Sequence, residues 1–289
     1  MSDAIATPGL RRRNGFLAVV LAYFVAPVAF AYVRRIEWGV IFLLAVPALY
    51  FAVGRLGLPF YSGGYLAVIA LLMAITLTTL VLAFRFARAL PEGAAPHWYN
   101  RWYHYLWIGL LTLGWWTLIG GNRAPLFGFE PFRVPSTAMQ PTLVPGDFIT
   151  VDSRGGTMSN IRRGDIVTFV PKHHPEQTWI KRIVGLPGEH VVAEDNVVVI
   201  DGKPLVETWG TVREPVMPFR GDFERIRLGP DEYYLMGDNR PNSEDSRYTG
   251  PVNRAALRGK VRSVWFHYSP LTHSIDPSRI GPLADVPAP

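Results

Sequence analysis

Hydrophobic and polar positions divide this chain near residue 125. Before it, apolar residues come in four runs, 16–33, 38–53, 65–84 and 105–121, none containing Asp, Glu, Lys or Arg. A helix that crosses the hydrocarbon core needs about 20 such residues, and a soluble amphipathic helix shows a polar face that these runs lack. Pro27 and Pro47 sit inside the first two runs, a placement that membrane helices tolerate. The pattern predicts a membrane region over 1–125 with three to four spans. After residue 121 the texture changes to short β-branched and aromatic runs at 148–151, 165–170, 179–184, 190–193, 197–200, 233–236 and 261–268. Turn signals separate them, among them Pro145-Gly146-Asp147, Pro187-Gly188-Glu189 and Asp201-Gly202. Such punctuation predicts an all-β domain over 126–289. The Pro-rich tail from Pro282 is expected to fray.

Composition agrees with that division. Of 289 residues, 49% are hydrophobic and 18% charged, against about 25% charged in an ordinary soluble protein. Disorder is excluded and a plain soluble globule is disfavoured. The absence of Cys excludes disulfides, thiolate metal sites and a cysteine nucleophile. The net charge of +6 is not a nucleic-acid signal. Residues 1–128 carry ten Arg and three acidic residues, and the remainder carries 19 basic and 20 acidic residues. The excess therefore flanks the apolar runs, where arginines mark the cytoplasmic ends of spans. Arg85, Arg88 and Arg101 place the loop before the fourth run in the cytoplasm, so the β half is carried outward. Arg11–Arg13 equally favour an inside N-terminus, and four full crossings cannot satisfy both. Either one of the first two runs is re-entrant or interfacial, or one cluster breaks the rule.

Three stretches of the β half carry chemistry. The first is Phe132-Arg133-Val134-Pro135-Ser136-Thr137-Ala138-Met139-Gln140-Pro141-Thr142-Leu143, followed by Gly146-Asp147. The second is Ile180-Lys181-Arg182-Ile183-Val184-Gly185-Leu186-Pro187-Gly188-Glu189. The third is Tyr234-Leu235-Met236-Gly237-Asp238-Asn239-Arg240, followed by Asn242-Ser243-Glu244-Asp245-Ser246-Arg247-Tyr248. Lys181 is unusual in itself, because the chain has 25 Arg and four Lys. Arg cannot give up its proton in a protein, whereas a buried Lys can become a general base. Its apolar strand and its neighbour Arg182 are both expected to favour the neutral amine. The alternative is a surface lysine on an edge strand. His173, His174, His190 and His267 also lie in this half, but none sits in a motif of a Ser-His-Asp triad or of a metal site.

In this order, and after membrane spans, the three stretches resemble the bacterial type I signal peptidase family, membrane-anchored serine proteases with a Ser–Lys dyad. The resemblance covers 129 to about 268. It implies N-terminal transmembrane helices plus a mostly antiparallel all-β catalytic domain, on the extracytoplasmic side of the plasma membrane. The substrates it implies are preproteins whose signal peptides span the bilayer, cut after small residues of the Ala-x-Ala kind. No metal or organic cofactor and no nucleic acid is implied. Residue by residue, Lys181 matches the family's general base and Ser136 the hydroxyl that helps form the oxyanion hole. Ser243 matches a serine that orients the lysine. Asp245 and Arg247 match an acid–base pair beside the site, which the residues alone equally allow as a plain ion pair, and Asp238 lies in the Gly-Asp-Asn-Arg turn. Met139 is expected to line the cleft and to meet lipid. The nucleophile position holds Ala138. An extended segment would put Ser136 and position 138 on one face, about 6–7 Å apart. Three readings follow. Ser136 acts as nucleophile, or the chain is an inactive signal-peptide-binding homologue, or Ala138 is a Ser-to-Ala replacement.

Overall fold

The computed structural model describes residues 13–61, 63–91, 97–121, 126–194, 197–212, 225–269 and 272–283. Arg11, Arg12 and the tail beyond Leu283 lie outside the described residues. The chain forms two compact units, one reaching Leu56 and resuming at Leu66–Phe127, the other made of Gly57–Tyr65 and Gly128–Pro289. The short segment Gly57–Tyr65, in the middle of the apolar region, thus belongs to the β unit.

The first unit contains α1 (Gly15–Tyr32), α2 (Ile36–Leu56), α3 (Gly64–Ala89) and α4 (Trp102–Gly121), at the positions of the four apolar runs. By length and composition α1, α2 and α3 could each cross a membrane. The geometry of α1 is different. A straight 18-residue helix would separate its ends by about 27 Å. Instead, the backbone N–H of Asn14 donates to the Tyr32 hydroxyl at 3.0 Å, and the Arg13 guanidinium lies 4.7 Å from the Tyr32 ring centre. Val25 leaves helical geometry at φ −146°, ψ 80°, two residues before Pro27, which has no N–H to continue the ladder. α1 is therefore a helical hairpin whose arms fold back on each other. Ala18, Ala22 and Ala26 pack with Ala29 and Phe30, and with Ala83 and Ala87 near the C-terminal end of α3. A Cβ on Gly15 would come within 2.9 Å of the Phe84 ring. The Asn100 side-chain amide, just before α4, donates to the carbonyl of Ala31 at 2.7 Å. Both ends of α1, the end of α3 and the start of α4 thus gather at one end of this unit.

The second unit is antiparallel throughout its described strand pairs. Its larger sheet uses β1 (Phe129–Arg133), β2 (Asp147–Asp152), β3 (Ile166–Phe169) and β4 (Trp179–Gly185). With β9 (Glu232–Met236), β10 (Val252–Asn253) and β11 (Leu257–Ser269) these run in the order β1-β2-β11-β3-β4-β9-β10. β12 (Ser274–Ile275) and β13 (Gly281–Pro282) also pair with β11. Pro282 lies opposite Ser263, and the Leu283 N–H donates to the Arg262 carbonyl at 2.8 Å, so the chain is still paired at 282–283; the rest of the tail expected to fray lies outside the described residues. A smaller sheet orders β7 (Lys203–Pro204), β6 (Val197–Ile200), β5 (His190–Glu194) and β8 (Ile226–Arg227). The sequence pattern located β2, β3, β4, β5, β6, β9 and β11 but neither the two-residue strands nor β1, which Pro131 disguised; Pro is compatible with an edge strand, and β1 ends the sheet. All four residues of β3 are buried, as a central strand covered on both faces requires, whereas β11 alternates between buried and exposed positions for most of its length. Two short helices, α5 (Gly155–Met158) and α6 (Ser246–Thr249), sit in the connections.

Candidate active site

The site grows out of the antiparallel pairing of β4 with β9. Arg182 lies opposite Met236 and Ile183 opposite Leu235, so the register carries Lys181 opposite Gly237, at the first residue past the end of β9. Gly237 is hemmed in. A Cβ there would fall 2.2 Å from Ser243 Oγ and 2.5 Å from the carbonyl oxygen of Ala138, so only glycine lets the three segments close on one another. The first stretch is clasped by the third. The Asn239 N–H donates to the Ala138 carbonyl at 3.0 Å and its side-chain amide to the Thr137 carbonyl at 3.1 Å. The Asn242 amide reaches the Thr137 hydroxyl at 2.5 Å. Ala138, Lys181 and Ser243, far apart in sequence, thus converge around Gly237.

Lys181 is 5% exposed. Among the described residues its ammonium makes no hydrogen bond and no ion pair, and it lies 5.5 Å from the centre of the Trp179 ring. Burial pushes its pKa below the ordinary lysine value. The negative charge of Asp245 works against that shift, and the positive charge of Arg247 adds to it. The cation that acts on Lys181 is therefore Arg247 and not, as the sequence suggested, Arg182. Neighbours on a strand point to opposite faces, and the Arg182 side chain leaves Lys181 for a different partner. Trp179, two residues before Lys181, shares its face; the period-two rule could have singled it out.

Arg182 and Asp238 form a two-pronged pair at 2.7 and 2.6 Å, with side chains 3% and 1% exposed. Thr142 bridges it, donating to Asp238 at 2.5 Å and accepting from Arg182 at 3.1 Å. All three stretches meet in this bond network, and Thr142 is a member that sequence reasoning missed. Removing one partner of a buried pair leaves an uncompensated charge and costs about 3–5 kcal/mol. Asp238→Ala is therefore expected to lower unfolding free energy by that amount, and a loss below about 1 kcal/mol in denaturant titration would contradict the network's role.

Asp245 and Arg247 make a second buried fork at 2.7 and 2.8 Å. Asp245 also accepts from the Gly237 N–H at 3.0 Å, and Arg247 donates to the carbonyls of Arg240 and Ser243 at 2.7 and 3.2 Å. This pair holds the turn that carries Gly237 and Ser243. Ser243 Oγ is buried and finds no hydrogen-bond partner among the described residues. Arg240 is tied to Glu207 and, at 3.1 Å, to the Gly237 carbonyl.

Two expectations change. Residues 136–140 are a bend and turn, closed by the Gln140 N–H on the Thr137 carbonyl at 3.1 Å, and not an extended strand. Ser136 is exposed there while Ala138 is 9% exposed, so the two do not present one common face. Met139 is 2% exposed and packs with Val134, Leu143, Ile149 and Val261 in the core. It holds the turn from inside the core. Among the described residues no group of three His, Cys, Asp or Glu side chains could hold a metal ion.

Residues 116–266 match the family described as signal peptidase, peptidase S26. Signal peptidase I of Bacillus licheniformis is 32% identical over 149 residues, spanning 50% of this chain and 80% of that protein. Signal peptidase I of Pseudomonas fluorescens is 31% identical over 206 residues, spanning 54% and 72%. Among solved structures, a signal peptidase I from Enterococcus faecalis V583 is 31% identical and covers 35% of this chain and 96% of its own, with a TM-score of 0.31.

Proposed function

Because the chain belongs to the peptidase S26 family of signal peptidases, we propose that it is a membrane-bound endopeptidase that removes signal peptides from exported preproteins, with Lys181 as general base. The observation that carries this reading is the lysine itself. Holding an amine in a nearly dry site with no ion-pair partner among the described residues costs stability, and the cost is understandable if the neutral amine is needed to take a proton. In the proposed reaction Lys181 takes the proton of the Ser136 hydroxyl, and that oxygen attacks the carbonyl carbon of the scissile peptide. Backbone N–H groups around 138 hold the oxyanion. The C–N bond then breaks, the amine leaves with the proton from Lys181, and water activated by the same amine hydrolyses the ester.

A second reading has its own support. Ala138, whose carbonyl closes on Gly237, offers only a methyl group where the family's nucleophile would stand, and Ser243 Oγ, on the same glycine, is unpartnered among the described residues. On this reading the chain holds signal peptides without cutting them. Purified protein in detergent is expected to cleave a preprotein, and Ser136→Ala to abolish that activity. Absence of cleavage with retained preprotein binding would favour the second reading.

For orientation we propose that α2, α3 and α4 cross the membrane and that the α1 hairpin enters and leaves on one side. Arg13, Arg34, Arg35, Arg88 and Arg101 then belong to a single cytoplasmic end, and three crossings carry the chain outward at residue 121. The conflict between the two arginine clusters disappears. The chain has no native Cys, which makes the test clean. An impermeant maleimide added to intact spheroplasts is expected to label Ser278→Cys and to label Ser2→Cys only after lysis. Labelling of both from outside would mean that α1 crosses.

A further inference from the structure

Thr137 stands between the two positions from which an attack could come, Ser136 and residue 138, and the proposed reaction does not use it. The chain on either side is anchored. Val134 and Met139 are each 2% exposed in one core cluster, and the Val134 N–H donates to the Asp147 carbonyl at 2.8 Å. Between these anchors Pro135 and Ser136 are exposed, so burial does not hold that part of the turn. Hydrogen bonds to Thr137 do. Its carbonyl accepts from the Gln140 N–H and from the Asn239 side-chain amide, both at 3.1 Å, and its hydroxyl accepts from the Asn242 amide at 2.5 Å. The first bond closes the turn, and the other two tie it to the third stretch.

Asn242 is a donor on a fixed base. It ends the one-turn 3₁₀ helix Arg240–Asn242, and its N–H donates to the Asn239 carbonyl at 3.1 Å. The buried Arg247 donates to the carbonyls of Arg240 and Ser243, which bracket Asn242 in the chain, at 2.7 and 3.2 Å. Thr137 is β-branched and stiff at χ1, so a bond to its oxygen fixes its backbone as well. Stability does not account for this latch. Asn242 is exposed and Thr137 half-buried, so water can replace the bond, and its loss costs the fold little. Geometry does account for it, because a misplacement of about 1 Å at reacting atoms can cost about 10²-fold in rate.

We propose that Thr137, held by Asn242, is a positioning residue that fixes the turn at 136–140 and with it the attacking oxygen, whether that oxygen is carried at 136 or at 138. It acts through its neighbours in the chain. The proposal rests on the peptidase reading. The full chain and its Ala138→Ser variant, in detergent, are each combined with Thr137→Val, which removes the oxygen at nearly constant shape, with Thr137→Ser, which keeps it, and with Asn242→Ala. Whichever parent cleaves a preprotein is expected to lose about 10²-fold in kcat with Thr137→Val, at unchanged KM. Asn242→Ala should lose as much, the two together no more than either alone, and Thr137→Ser should recover most of the rate. The unfolding temperature of each variant is expected to fall by no more than about 4 °C, as the loss of one exposed hydrogen bond allows. Deuterium exchange is read on the same proteins without substrate. The amides of Gln140 and Asn239, which donate to the carbonyls of Thr137 and Ala138, should exchange about tenfold faster with Thr137→Val. Unchanged exchange, an unchanged kcat, or a loss that Thr137→Ser does not repair overturns the proposal. Absence of cleavage by both parents removes the peptidase reading and this role with it, and is told apart from the other failures because no parent then has a rate to lose.

Discussion

Ala138→Ser is expected to raise preprotein cleavage, and the size of the gain separates the two functional readings. The β-carbon of residue 138 already sits in a turn clasped by Asn239, with Lys181 opposite Gly237 and Ser243 beside it. Serine adds one oxygen to alanine at a position that is 9% exposed. Losing a serine nucleophile outright costs on the order of 10⁶ in kcat in a well-characterised serine protease. If the present chain has no nucleophile, restoring one should lift kcat/KM by about 10³-fold or more from a background near zero. If Ser136 already attacks, the gain should be modest, because a nucleophile is already present two residues away. Initial rates on a preprotein in detergent measure both. A folded Ala138→Ser protein that cleaves no preprotein would remove the peptidase reading and leave signal-peptide binding.

Lys181→Arg should abolish whatever cleavage the chain or its Ala138→Ser variant shows, with a loss of about 10²–10⁴ if only general-base catalysis is removed. Arginine keeps the charge and cannot release the proton, so retained cleavage would refute the assignment. Protonation adds two further tests. Burial lowers the Lys181 pKa in the folded protein from its ordinary 10.5, so activity should rise with pH through that lowered value as the neutral amine forms. Stability carries the opposite side of the same linkage. Between the folded and unfolded pKa values the unfolded chain binds more protons, so this group's contribution to stability improves as pH rises. Its penalty is complete below the folded pKa and vanishes above 10.5. Lys181→Met should accordingly raise the unfolding temperature at neutral pH, and the advantage should shrink as the pH approaches 10.5. A methionine variant less stable than the parent at pH 7 would show that the amine is not held against a desolvation cost.

Much of this protein is legible in its residues because the relevant forces are local. Charge-free apolar runs announced the four helices, and β-branched segments between Gly, Pro and Asp turns announced most of the strands. The three motif stretches and the scarcity of lysine pointed to Lys181, Ser243 and the gap at Ala138. Other features depended on partners distant in the chain. Length and hydropathy cannot distinguish a crossing helix from a hairpin; the turn at Val25 becomes visible only when Asn14 meets Tyr32 and Ala83 packs on the alanines of α1. The sequence placed Arg182 beside Lys181 as the cation that lowers its pKa. In the fold Arg182 turns away to Asp238, and Arg247, 66 positions from Lys181 in sequence, takes that part. Its motif assigns Met139 to the lining of the cleft; in the fold it is 2% exposed and packs in the core, on the turn at 136–140. Periodicity and composition record what each segment prefers. Which buried charge finds which partner, and which face of a turn looks inward, is decided when segments far apart in the chain must satisfy one another's hydrogen bonds in the same dry volume.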